Sequence, residues 1–470
     1  MKKALLYLSF PLTLHAQENY SALVDNYMNA AVNVNQFSGS VLVAKLGNII
    51  YQKTFGTIDY AGTHPLDSNS MFEIGAITEE FTAAAILLLK DEGKLKLSDP
   101  ITKYLPELSY NTVTIKHLLT HTSGLPDYYD AIMQGKWGTE KIATNADIVK
   151  NLAEAKVPLS WKPGTKYDEY HYYTEYTLLA SIIEKVSGQS YSDFIRKKIF
   201  TPLQLQHTKV FAELQINKKL HPNHTESVYF DEAQQMFFPA DSMKQLPLEF
   251  HYATDGIVGG IGISSTAHDL ILWDRALENH ALLSPSTQQE MFTPYFLKDT
   301  ASKIYFGYGL LTGKNEFGNY VLQRDFGNNI TLGYVTSLIR YIKDDITIIV
   351  LANKPKNSSI ISGPLAYIMF NREVVPPYIH KEIAIDTSLL QKYVGKYEVP
   401  YVIHVYKKEN TLWMAIPGEP DLKLLPELPT KFFSSSKEYD LQIEFETDST
   451  GKVVKTYFIN SGLKKEGKKY

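Results

Sequence analysis

The stretch Phe72–Lys96, FEIGAITEEFTAAAILLLKDEGKLK, decides how the chain is read. Phe72 to Gly75 is an extended lead-in. From about Ala76 to Glu92 the composition is Ala, Leu and Glu with no proline, which predicts a helix closed by a left-handed glycine at Gly93. The apolar block Phe81–Leu89 is too continuous for a surface helix. It predicts a helix buried through the middle of a domain.

The frame Phe72, Ile74, Gly75, Thr78, Phe81, Thr82, Ala83 resembles the nucleophile segment of the serine β-lactamase and penicillin-binding-protein superfamily. The resemblance is to the branch that holds class C β-lactamases, esterases and D-aminopeptidases. In that branch a serine opens the helix and a lysine follows one turn later on the same face, where its amine takes the hydroxyl proton. Here the serine position holds Ala76 and the lysine position Glu79. A methyl group cannot attack a carbonyl, and losing such a nucleophile costs on the order of a million-fold in turnover. Thr78 lies about 200° around the helix from Ala76 and is a poor substitute. Glu79 and Glu80 fall near the Ala76 face, but neighbouring residues diverge by about 100°. Glu79 is read as a hydrogen-bonded or solvated carboxylate ahead of a new catalytic group.

Two further motifs implied by the resemblance are also altered. The segment Lys162–Lys185 keeps Pro163, Gly164, Tyr176, Leu178, Leu179, Ile182, Ile183 and Glu184 of the pattern carrying Tyr-x-Asn. Glu169, Tyr170 or His171 falls at the tyrosine position and His171, Tyr172 or Tyr173 at the asparagine position. No register supplies the asparagine. The strand expected to carry Lys-Thr-Gly or His-x-Gly falls in RDFGNNI, Arg324–Ile330, with Phe326, Gly327 or Asp325 where the cation belongs. Arg324 could supply charge from the side. The string LLTHTSGLPDYY, Leu118–Tyr129, is a further likeness, in which His121 and Ser123 are read as tying a turn to neighbouring backbone.

The implied fold is α+β: an antiparallel sheet flanked by helices, with an all-helical subdomain, over residues 17–372. Its opening hairpin is GSVLVAKLGNIIYQKTFG, Gly39–Gly56, turning at Leu46-Gly47-Asn48. Trp273 is expected to be buried in the helix after a glycine-rich turn. A linker over 373–390 contains Pro376-Pro377. From Gln391 onward the alternation of Leu441, Ile443 and Phe445 with Gln442, Glu444 and Glu446 predicts strands. The opening LLQKYVGKYE resembles the small lipocalin-like β-barrel or half-barrel often appended to this family.

The chain has 470 residues, a net charge of −4 and no cysteine, which excludes disulfides, thiolate metal sites and a cysteine nucleophile. That charge gives no reason to expect nucleic acid. No H-E-x-x-H metal motif occurs, and no cofactor is implied. Met1–Ala16, with Lys2, Lys3 and the apolar run Ala4–Leu14, reads as a cleavable signal without a lipid-bearing cysteine. A periplasmic or secreted protein is expected. The leading expectation for function is a pseudoenzyme that binds a peptide, a peptidoglycan fragment or a partner protein. The alternative is non-standard ester or peptide hydrolysis through Glu79, Glu80 or Tyr170. A third reading makes the C-terminal barrel the working part. Beside the altered positions, Glu80, Tyr173, Arg324 and Asp325 are the candidate pocket residues.

Overall fold

The computed structural model describes residues 12–34, 36–128, 142–167, 173–211, 221–231, 236–239, 256–300, 303–326, 333–354, 359–399, 401–435 and 440–469. At 12–18, 173, 229–231, 236–237, 325–326 and 359 it describes the backbone alone. The chain divides into two compact units, one of residues 37–358 and one of 1–36 with 359–470.

The first unit is built on an eight-stranded antiparallel sheet. Its order is 48–55, 39–45, 346–352, 335–341, 320–326, 311–314, 304–306, 296–299. The expected hairpin forms with Lys45 opposite Asn48. Both turn residues have positive φ, 49° at Leu46 and 77° at Gly47, the geometry that matches the twist of two paired strands. The strands Val335–Tyr341 and Ile346–Ala352 are buried at every position, so side chains on both faces of the sheet are covered.

The central helix lies against this sheet's unit as the composition predicts, with one difference at its start. Residues Gly75–Ile77 form a tight 3-10 turn, and the α-helix proper runs Thr78–Asp91. No side chain caps the helix, and the turn closes instead through Ile77 N–H to Ile74 O at 3.2 Å. At the other end Gly93 has φ 72°, and Lys94 N–H reaches Leu89 O at 2.9 Å, the left-handed closure expected of glycine. Every residue from Thr78 to Leu87 is buried. Phe81 stacks on the buried Trp273 at 4.1 Å between ring centroids and meets Phe200 edge-on at 5.9 Å. The helix Tyr173–Ser187 of the helical subdomain packs on the same central helix.

Two glycines let backbone approach these two helices closely, Gly309 the central one and Gly259 the helix Tyr173–Ser187. A Cβ on Gly309, at φ 76°, would stand 2.5 Å from Glu79 O. One on Gly259, at φ 116°, would stand 2.2 Å from Tyr176 O. Thr82 Oγ1 donates to Gly259 O at 2.7 Å, which ties that turn to the helix.

The second unit holds the helices Leu12–Asn33 and Ser359–Met369 and a closed eight-stranded barrel spanning 395–469. The first barrel strand, Gly395–Glu398, pairs with the last, Leu463–Lys469. The barrel is therefore complete and leaves no open sheet edge. Its interior is filled by Tyr393, Tyr397, Ile403, Val405, Phe432 and Phe445 among others. Residues 1–11 of the expected signal lie outside the described residues.

Because Phe81 has no exposed surface and is packed by two aromatic rings, Phe81→Ala is expected to cost ~3–5 kcal/mol in urea unfolding of the purified protein. A loss under ~1 kcal/mol would show that the stacked cluster is not a core element.

Candidate functional site

The site sits where the 3-10 turn meets the strand Tyr320–Phe326. Ala76 is buried within that turn, and its carbonyl accepts a hydrogen bond from Arg324 Nε at 3.3 Å. Glu79, one helical turn on, is 1% exposed. Arg324 is placed by its strand, where it stands opposite Leu338. From there its guanidinium spans the turn: Nε holds the Ala76 carbonyl and a terminal NH2 donates to the Glu79 carboxylate. A planar fork with donors on two sides can make both contacts at once, which a lysine ammonium does less well.

A second cation closes on Glu79 from the helical subdomain. His121 lies in the turn after the helix Ile115–Leu119, at φ 53°. Its Nε2 is 3.2 Å from Glu79 Oε2, and its Nδ1 is 3.4 Å from Glu175 Oε2. Ser123 Oγ donates to the other oxygen of Glu175 at 2.7 Å. The imidazole stacks on Tyr176 at 5.0 Å and meets Phe306 edge-on at 5.2 Å. Tyr176 in turn donates its hydroxyl to Leu119 O at 3.0 Å. Glu79 and Glu175 thus face Arg324 and His121 in one buried, hydrogen-bonded chain from Ser123 to the Ala76 carbonyl.

Burial alone lowers the His121 pKa, but the charges and hydrogen bonds of Glu79 and Glu175 outweigh it and hold the imidazole up at about 9. With His121 protonated the two carboxylates and two cations balance, the condition for keeping charges in a protein interior. The hydroxyls around the turn are used by backbone and neighbours. Thr78 Oγ1 accepts from Ile263 N–H at 3.4 Å, Thr336 Oγ1 donates to Ile74 O at 3.0 Å, and Thr82 Oγ1 lies 2.7 Å from Tyr191 Oη.

Glu80 goes elsewhere. It is buried against Trp273, whose Nε1–H donates to Glu80 Oε2 at 2.9 Å. Burial raises its carboxyl to about 8, with the Trp273 bond acting the other way. The two adjacent glutamates therefore hydrogen-bond to different partners. Glu73, on the lead-in strand, is also buried and raised to about 7, opposed by the Gly262 N–H bond at 3.2 Å.

Of the residues singled out from sequence, the structure brings Ala76, Glu79 and Arg324 together. Tyr170, Tyr172 and Gly327 lie outside the described residues. Tyr173 begins the helix Tyr173–Ser187, and Asp325 and Phe326 stand opposite Ser337 and Thr336 in the sheet. Sequence reasoning treated His121 and Ser123 as turn-tying groups and did not single out Glu175. The signal available was Glu79 itself, a carboxylate on a helix expected to be buried, which must find a buried cation. Among the described residues no three His, Asp or Glu side chains cluster to hold a metal ion.

The family profile described as Beta-lactamase matches residues 23–363, and one described as Domain of unknown function (DUF3471) matches 380–461. A penicillin-binding protein of Bacillus subtilis (strain 168) is 32% identical over 425 residues, 87% of this chain and 90% of that protein. A teichoic acid D-alanine hydrolase of Staphylococcus aureus is 31% identical over 202 residues, 42% of this chain and 46% of that protein. Among solved structures, the octameric penicillin-binding protein homologue from Pyrococcus abyssi has a TM-score of 0.64 at 23% identity, covering 95% of this chain and 99% of that one. That last likeness concerns the fold.

The buried acids make a prediction with a definite sign. The Glu80 pKa is about 8 in the folded protein against an ordinary 4.5, so its contribution is fully present below 4.5 and is lost as pH rises through 8. Glu80→Gln keeps an acceptor for Trp273 and removes the proton. Its stability relative to the parent is expected to climb between pH 5 and pH 8.5, by on the order of 1 kcal/mol or more. A difference that stays flat across that range in urea titrations would contradict the assignment.

Proposed function

The chain belongs to the β-lactamase family, and on that premise we propose that it is a non-acylating member, a binding protein in place of a serine hydrolase. The observation that carries this reading is the ion-paired chain through Glu79. In the family resemblance, position 76 should bear the attacking hydroxyl and position 79 the amine that deprotonates it. Here the first is a methyl group and the second is a carboxylate held by Arg324 and His121. The charge at position 79 is reversed relative to that pattern, and two cationic side chains meet it.

The region around this chain of residues then serves recognition. The names of the relatives, a penicillin-binding protein and a teichoic acid D-alanine hydrolase, point to cell-wall chemistry as the class from which a ligand comes. A peptide, a peptidoglycan fragment or a partner protein is the proposed occupant. An exported, periplasmic or secreted location suits such a ligand and rests on the leader-like Met1–Ala16. No helix among the described residues is long and apolar enough to cross a membrane. Hydrolysis through a carboxylate-activated water is less well supported, because Glu79 is engaged by two cations and Glu80 lies beneath Trp273.

The reading is tested by intact-mass measurement after incubation with a penicillin and with a fluorophosphonate. The parent protein is expected to gain no mass, while soluble peptidoglycan fragments are expected to bind it in calorimetry. Installing Ala76→Ser with Glu79→Lys places an ammonium beside Arg324, so that double variant is expected to be less stable than the parent by ~3 kcal/mol or more. A stoichiometric adduct on the parent would overturn the proposal, and the labelled peptide would identify the nucleophile.

A further inference from the structure

The segment 375–386 joins the helix Ser359–Met369 to the barrel without regular secondary structure. It is nevertheless held at three places within its own unit. Val375 N–H donates to Gly462 O at 2.9 Å, and Ile383 N–H donates to Pro426 O at 2.9 Å. Between them Ile379 points outward, 81% exposed, while Tyr378 and His380 turn in against the barrel wall. The turned-in pair meets three barrel strands, Leu422–Leu428, Lys431–Ser434 and Leu441–Thr447.

His380 makes the central contact. Its Nδ1 lies 3.1 Å from Glu427 Oε1 and its Nε2 lies 3.0 Å from Asp440 Oδ1. Its ring stacks on Phe433 at 4.6 Å, with 13° between the planes. A carboxylate only accepts, and a neutral imidazole has one donor and one lone pair. Both contacts are satisfied together only when both ring nitrogens carry hydrogen. The other polar groups around it complete the cluster without supplying that second proton. Tyr378 donates to Glu427 Oε2 at 2.6 Å, and Lys431 Nζ donates to Tyr378 Oη at 2.7 Å. Gln442 Nε2 donates to Asp440 Oδ1 at 2.8 Å, and the charges of Glu444 and Asp440 reach Tyr378. Tyr27, on the helix Leu12–Asn33, faces the Asp440 charge.

We propose that His380 is a proton-operated clasp: protonated, it bridges Glu427 and Asp440 and fastens the strap 375–386 to the barrel, and on deprotonation the strap lets go. Neutral His380 would turn a lone pair toward one carboxylate. The repulsion replaces a charge-assisted hydrogen bond at the middle of the strap, whose remaining fixings are the Val375 and Ile383 backbone bonds, the Tyr378 hydroxyl and Ile385 against the barrel core. Burial lowers the His380 pKa, but Asp440 and Glu427 outweigh it and raise it above its ordinary value. The sign follows: the fastening is complete below pH 6.5, the ordinary value, and is lost as pH rises through the raised one. The clasp lies in a different unit from Glu79 and does not depend on what the cleft binds.

Hydrogen exchange of the full-length protein, followed by mass spectrometry on peptides covering 373–386 and corrected for intrinsic rates, reads the clasp directly. Protection of the strap is expected to fall by about tenfold or more between pH 6 and pH 9, while barrel-strand peptides stay protected. His380→Gln is expected to leave the strap weakly protected at every pH. In Glu427→Gln the new amide donates to Nδ1 of a neutral His380 while its oxygen still accepts from Tyr378. That variant is expected to keep the strap protected at pH 9 and to abolish the pH dependence. Strap protection that is constant from pH 6 to pH 9 in the parent, or a Glu427→Gln profile that follows the parent's, overturns the proposal.

Discussion

A carboxylate withdrawn from water into a protein interior must be met by charge and hydrogen bonds of opposite sense, or it takes up a proton. Glu79 is such a group, at 1% exposure on a helix that is buried through its first ten residues. Arg324 and His121 meet it from two sides. Each belongs to a different part of the first unit, Arg324 to the sheet and His121 to the helical subdomain. The ion-paired carboxylate therefore joins the sheet, the central helix and the subdomain at one point. Removing one partner of a buried pair leaves an uncompensated charge and costs ~3–5 kcal/mol, far more than an exposed pair is worth.

The same geometry is what supports the proposal that this chain does not acylate. An acylating site needs a nucleophile that is free to move toward a carbonyl and a base poised to take its proton. Here Ala76 and Glu79 lie in a hydrogen-bonded chain that runs from Ser123 through Glu175, His121 and Glu79 to Arg324 and the Ala76 carbonyl. The aromatic packing that holds the helix uses other side chains. Phe81, Trp273 and Phe200 hold the central helix, Gly309 admits backbone against it, and Gly259 does so against the helix Tyr173–Ser187. On the proposed reading, folding and acylation are separable demands on the sequence.

That separation also sets what could be read from residues alone. The central helix was legible because its signals are local: Ala and Leu content, an apolar block and Gly93 at the end. The Gly39–Gly56 hairpin and the alternating strands of the barrel were legible for the same reason. The start of the helix was not, because the 3-10 turn at Gly75–Ile77 is closed by backbone and by Thr336 from a distant strand. Ala76 and Glu79 stand out by their departure from a family frame, and Arg324 as a charge beside the altered third motif. The partnership was not visible, since Arg324 and Glu79 lie 245 residues apart and Glu175 and His121 are 54 apart. His121 in particular looks like a turn residue until the fold sets it 3.2 Å from Glu79.

The most direct test of this account is a double-mutant cycle on Glu79 and Arg324, read by urea unfolding of the parent, Glu79→Gln, Arg324→Met and the double variant at pH 7. If the pair replaces the nucleophile machinery as the electrostatic centre of the cleft, each single change costs ~3 kcal/mol or more. The double variant then recovers much of that loss, leaving a coupling energy of ~1 kcal/mol or more. Single costs that simply add, with no coupling, would mean that Glu79 and Arg324 do not depend on each other, and the account would be wrong at its centre.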